Sequence, residues 1–225
     1  MGGYNPIGKR EGSRLDGQGV ALGKVLELAR LAALGAALAL AGCVTVENSL
    51  TQNDIAGMKL TGVTVSYAPN ALIQWEDGIR AYATSKAITD DQIATAANTP
   101  EGKAYVQAML APVIKTGISK SLTGQLIGSR PVRLDVVVKS FALASAVQRL
   151  LIGGGRGMVA DANLVDARTG AVIVAYPDLS AASYAGQGIV GTAVQAAIDN
   201  ASEQSVAEKL ASQYGGIYRN WLLRT

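Results

Sequence analysis

A chain of 225 residues, 49% hydrophobic and with a formal net charge of +3, contains no histidine and a single cysteine. Every Ser-His-Asp, Cys-His and histidine–metal arrangement is thereby excluded, and so is an intramolecular disulfide. Any chemistry left would rest on carboxylates, lysine, tyrosine or serine, so the composition favours a protein that is not an enzyme and carries no cofactor.

The first 23 or so residues are rich in glycine and charge with no apolar period, the composition of a disordered leader, and Val20 or Val25 could mark a later start. Lys24 and Arg30 then stand before an apolar run from Leu31 to Ala41, which closes in Leu40-Ala41-Gly42-Cys43. At about 11 residues this run is too short for the roughly 20 that span a bilayer, and suits a cleaved export signal. Charged flank, short apolar run and small residues before a cysteine together resemble a bacterial lipoprotein signal peptide. The resemblance implies a diacylglycerol thioether on the Cys43 sulfur, cleavage after Gly42 and acylation of the new amine. It also implies sorting to the outer membrane, since Val44 and not Asp follows the cysteine. Several acyl chains give the stable membrane attachment that one chain would not. Most of the net positive charge leaves with the leader, which holds Lys9, Arg10, Arg14, Lys24 and Arg30 against Glu11, Asp16 and Glu27. No basic run with interleaved aromatics remains, so no nucleic-acid partner is expected.

Residues 43–56 are polar and read as a tether between lipid and domain. Met58 to Tyr67 alternates Leu60, Val63 and Val65 with polar residues, the pattern of a strand. Pro69-Asn70 breaks it, and Ala71 to Lys86 reads as a helix with Leu72, Trp75, Ile79 and Tyr82 on one face. Trp75 is expected as a core anchor. Thr99 suits a helix N-cap with Pro100 in the first turn. The stripe Tyr105, Val106, Met109, Leu110, Val113, Ile114, Ile118, Leu122 and Leu126 marks a long amphipathic helix, which Pro112 should kink or split. Pro131 to Leu143 is the clearest strand, with Leu134, Val136 and Val138 inward. Gly157 to Ala167 is the next, then the turn Asp166 to Gly170 and a third strand from Ala171 to Tyr176. A small-residue loop, Leu179 to Gly188, precedes a helix from Ile189 to Gln213, which Gly215-Gly216 should end before a short piece to Leu223. The order β-α-α-β-β-β-α predicts an α+β fold: a two-layer sandwich of a mainly antiparallel sheet with two long helices on one face. Residues 1–42 are read as removed, 43–56 as tether and 57–225 as one periplasmic domain.

Gly186-Gln187-Gly188-Ile189-Val190-Gly191 matches G-x-G-x-x-G, but no strand leads into it and none follows to complete a βαβ unit. The pairs Glu76-Asp77 and Asp90-Asp91 read as solvated faces and caps, because helix neighbours point about 100° apart. Leu150 to Gly157 lacks the Lys-Ser/Thr of a phosphate loop. It is either a plain hairpin connection or, with Leu150, Leu151 and Ile152 between Arg149 and Arg156, a contact surface for a protein partner or lipid headgroups. Arg149-Leu150-Leu151-Ile152-Gly153, followed by Leu164-Val165-Asp166-Ala167-Arg168-Thr169-Gly170, resembles a family of bacterial envelope lipoproteins of unknown function, and that family supplies no catalytic residues. The sequence thus implies a non-enzymatic scaffold or accessory of an envelope assembly, anchored through Cys43 on the periplasmic face of the outer membrane. Its partner would be an envelope protein, with self-association through a sheet edge or the helix Ile189 to Gln213. The alternative is a small-ligand binder or weak carboxylate hydrolase using the space between sheet and Leu179–Gly188 loop. An exposed apolar patch near Leu150 to Ile152 would favour the first, a closed polar pocket the second.

Overall fold

The computed structural model describes residues 46–143, 155–184 and 205–225. Cys43, the residues Arg149, Leu150, Leu151 and Ile152, and the glycine pattern from Gly186 to Gly191 lie outside the described residues. In chain order the elements are α1 (Gln52–Gly57), β1 (Met58–Trp75), α2 (Glu76–Ser85), α3 (Ile93–Ala97), α4 (Pro100–Leu122), β2 (Arg130–Leu143), β3 (Gly155–Asp166), β4 (Val172–Tyr184) and α5 (Val206–Leu223). The four strands form one sheet in the order β1-β2-β3-β4. β1 runs parallel to β2, and the other two pairings are antiparallel.

The alternation in β2 works as expected: Val132, Leu134, Val136 and Val138 are all fully buried. A register shift between Val138 and Ser140 then flips the phase, so that Phe141 and Leu143 also face inward. Ala160, Ala162 and Leu164 of β3, with Val174, Leu179 and Ala181 of β4, continue the same inner face. Against it lie Val106, Leu110, Ile114, Ile118 and Leu122 of α4, and Leu210, Tyr214, Tyr218 and Leu222 of α5. This is the predicted two-layer α+β sandwich with two long helices on one face. The other face is wet. There Thr64, Arg133 and Asp135 form one polar cluster, and Lys139 bridges Asp161 at 2.8 Å and Asp178 at 2.7 Å.

Several boundaries differ from the sequence reading, each for a physical reason. β1 does not stop at Pro69-Asn70. As an edge strand it accommodates the proline by bulging between Tyr67 and Leu72, then resumes pairing from Leu72↔Ser140 to Trp75↔Leu143. Residues Ala71 to Trp75, read as helix, are therefore strand, and Leu72 is exposed where Trp75 is buried. α4 runs unbroken through Pro112, which sits on the solvent side. β4 likewise passes Pro177-Asp178 through a bulge with Asp178 at φ 52°, and so takes in Leu179 to Tyr184, read as loop.

Gly215-Gly216 does not end the last helix. α5 continues to Leu223 because Gly215 is a packing residue, its Cβ position only 3.0 Å from the Ile118 Cα. Gly117 faces the other way across the same contact, 2.5 Å from the Glu208 carbonyl oxygen. Two helices meet this closely only where one side chain is missing.

The stretch expected as tether is also corrected, because Val46 to Gly57 packs onto the domain. Asn48 is buried and donates through Nδ2 to the Leu222 carbonyl at 2.9 Å and the Trp221 carbonyl at 3.2 Å. The Trp221 Nε1–H donates to the Val46 carbonyl, and Arg224 donates to the carbonyls of both Asn48 and Leu50, all at 2.7 Å. Leu50 and Ile55 join the core, and Thr51 caps α1 in a reciprocal box with Asp54. Polar composition suggested a linker, but Asn48 satisfies free carbonyls at the end of α5, and Trp221 and Arg224 satisfy carbonyls of this segment in return.

Candidate functional site

A cleft of 670 Å³ opens beside the C-terminal end of β1, walled by α2, α3 and α4. Its construction follows from local sequence. The bulge at Ala68 to Ala71 redirects β1 so that Ala71, Leu72, Ile73 and Gln74 form the sheet-side wall. β1 ends at Trp75, whose indole covers Gly78 so closely that a Cβ there would lie 2.5 Å from its Cε3. That contact turns the chain into α2, which contributes Glu76, Ile79 and Arg80. Thr99 then caps α4 through the Gly102 N–H at 3.1 Å, and Gly102 lets α4 press directly on the Ala96 and Ala97 backbone. The pressed-in helix α3 supplies Ile93, Ala94 and Ala97 as a third wall, while α4 supplies Lys103, Val106 and Gln107.

The cleft has an apolar floor and a charged rim. Leu72 is 69% exposed within it, a large apolar side chain left uncovered. On the α2 wall, Arg80 binds Glu76 at 2.7 Å, and the charges of Asp90 and Asp77 act more weakly on the same guanidinium. On the α4 wall, the Lys103 ammonium has neither an ion-pair nor a hydrogen-bond partner among the described residues. The Gln107 backbone carbonyl accepts the Tyr67 hydroxyl at 2.9 Å, which fixes the helix against β1. Burial raises the pKa of that phenol, so it stays a donor through the neutral range. Behind the cleft, the Trp75 Nε1–H is buried with no acceptor among the described residues.

Of the contact residues proposed from sequence, Arg156 alone is described; it lies in β3 opposite Leu143 and Ser183 and is half-buried. The loop expected to bound a pocket at Leu179 to Gly188 is strand as far as Tyr184, and the cleft lies instead at the β1 edge of the sheet. Glu76, treated as a plain surface carboxylate, pairs with Arg80, and Asp90 lines the same cleft. Asp77 and Asp91 do not line the cleft. Arg80 and Lys103 were missed altogether. The available signal was spacing: Glu76 to Arg80 and Lys103 to Gln107 are each i,i+4 pairs, which share a helix face. Among the described residues, no group of three or more Asp, Glu or Cys is placed to hold a metal ion. No helix among them is long and apolar enough to cross a membrane.

No protein-family model matches the chain, and no curated protein matches it. Solved structures resemble it at a distance. A protein of Xanthomonas campestris, XCC0632, is 12% identical with a TM-score of 0.35, over 80% of this chain and 92% of its own. PelC of Paraburkholderia phytofirmans, solved as a dodecamer, is 12% identical with a TM-score of 0.32, over 77% and 98%. A candidate lipoprotein of Caulobacter crescentus CB15 is 18% identical with a TM-score of 0.29, over 50% and 80%. Two of these are lipoproteins or proteins of a family without known function by their own descriptions. Likenesses this distant carry no argument about activity.

Proposed function

We propose that this chain is a lipid-anchored envelope protein, held through Cys43 at the periplasmic face of a bacterial outer membrane. It works there by binding, as a scaffold or accessory of an envelope assembly, and not by catalysis. The observation that carries the reading is the clasp between Val46–Leu50 and the end of α5. Only Val44 and Thr45 separate Cys43 from the first clasped residue, three Cα steps or about 11 Å at full extension. Lipid on Cys43 would therefore hold the domain at the bilayer by a short leash. Such a protein meets its partners at the membrane surface. The charged residues grouped in the cleft are paired or placed on the rim, an arrangement suited to recognition.

The decisive experiment follows Cys43→Ser in fractionated cells. The wild-type chain should incorporate labelled palmitate and sediment with outer membranes, while the variant should do neither. A variant that remains in the outer-membrane fraction would remove lipid anchoring from the reading. Crosslinking and pull-down from native membranes, with wild type beside Leu151→Asp, tests the accessory role. Recovery of a defined complex that the substitution abolishes supports it, and the absence of any stoichiometric partner argues for a ligand binder instead. Self-association through the outer edge of β1 or β4 belongs to the same proposal, and strict monomer behaviour in light scattering would remove it.

A further inference from the structure

The cleft carries an inference beyond the anchoring role and independent of it. Its floor is aliphatic: Leu72, Ile73, Ile79, Ile93 and Val106 converge from four different elements with no aromatic among them. That lining suits a flexible alkyl chain better than a planar ring, and 670 Å³ falls within the range of small-molecule sites. The charge is divided between opposite walls. Glu76 is already paired with Arg80 on α2, whereas the Lys103 ammonium on α4, beside the Gln107 amide one helical turn on, has no ion-pair partner among the described residues. The rim therefore offers a head group one cation and one amide donor on the α4 side, and carboxylates on the other. A bulge in an edge strand, a tryptophan seated on a glycine and a glycine pressed against α3 fix where these walls stand. Backbone irregularities of this kind concentrate beside binding sites.

We propose that the cleft binds a single-chain amphiphile with an anionic head, the head held at Lys103 and Gln107 and the chain laid across Leu72, Ile79 and Ile93. A fatty carboxylate and an alkyl phosphate share this chemistry. A neutral amphiphile does not, because it offers Lys103 no negative charge.

The test uses the mature protein in native membranes and a photoactivatable palmitate analogue. Crosslinked peptides should map to residues 71–80 and 93–107, and unlabelled palmitate or hexadecyl phosphate should compete. Whichever competes at lower concentration identifies the head. Lys103→Ala should weaken labelling about tenfold, the scale of one lost charge-assisted contact, while Lys103→Arg should keep most of it. Leu72→Glu, at an exposed position that leaves the core untouched, should abolish labelling with the far-UV spectrum unchanged. Labelling spread evenly over the surface would overturn the proposal, as would equal competition by hexadecanol. So would indifference to both Lys103→Ala and Leu72→Glu. Because these variants leave Cys43 and the clasp intact, their failure would not bear on lipid anchoring.

Discussion

Two tyrosines on α5 show how differently one residue type is used. The Tyr214 hydroxyl donates to the Ala160 carbonyl at 3.0 Å, tying helix to sheet, whereas the Tyr218 hydroxyl is buried without a partner among the described residues. A buried hydroxyl gains nothing from its desolvation unless it makes a bond. Tyr218→Phe should therefore be neutral or stabilising by up to about 1 kcal/mol, and Tyr214→Phe should cost about 1 kcal/mol, both read from urea denaturation. The order reversed would show that Tyr218 finds an acceptor. Neither role could be read from sequence, where Gly215-Gly216 stands between the two tyrosines. An apolar pattern reports which side chains are buried but not which carbonyl lies opposite a given hydroxyl.

At the scale of elements, the contact between α4 and α5 depends on two glycines, Gly117 and Gly215, the second of which the sequence presents as a helix end. Gly117→Ala places a methyl against the Glu208 carbonyl and the Ala211 Cβ at 2.7 Å, both parts of a helix that cannot yield cheaply. A loss of about 1–3 kcal/mol is expected, typical of overpacking, measured as a lowered urea midpoint at unchanged slope. Gly216→Ala meets nothing within 4 Å and should stabilise α5 slightly through helix propensity. The same limitation explains the misplaced strand ends. Pro69 and Pro177 break local patterns, but an edge strand and a bulge absorb them, and only the neighbouring strand reveals that pairing resumes.

The wet sheet face gives a prediction of its own. The Arg133 guanidinium, hydrogen-bonded to Asp135, holds that carboxyl below its usual range against the opposing effect of burial. Burial pushes Asp161 up, but the Lys139 ammonium and the Asp178 N–H outweigh it and leave that carboxyl low as well. A carboxyl depressed in the folded state adds stability that is complete above its ordinary value near 3.8 and is lost as pH falls through the lower folded value. Stability should therefore be flat from neutral pH down to about 5 and decline below about 4. Asp161→Asn should shrink the difference between urea midpoints at about pH 7 and about pH 3. An undiminished difference would assign the acid sensitivity elsewhere.

For the whole molecule, the clasp between the two ends of the domain matters most. Asn48→Ala removes the donor to the Leu222 carbonyl and strands the Leu50 N–H, at a cost of about 1–3 kcal/mol. If the clasp shortens the leash as proposed, the variant should also expose Thr51 to Met58 to protease in membranes while α4 stays protected. Equal protection in both proteins would show that the clasp does not order this segment.

Sequence by itself determined the identity of most helix and strand faces and the two-layer class, and it is the source of the proposed export signal, because these depend on composition and on periodicity within one segment. It also pointed to Thr99 as the cap of α4, since a cap is a contact between near neighbours. Only tertiary structure decided that the supposed tether is part of the domain, that two glycines weld the helices, and that Glu76, Asp90 and Lys103 share a cleft. Each of these depends on groups far apart in the chain, such as Asn48 and Leu222, whose meeting is set by the packed core and leaves no periodic trace in either segment.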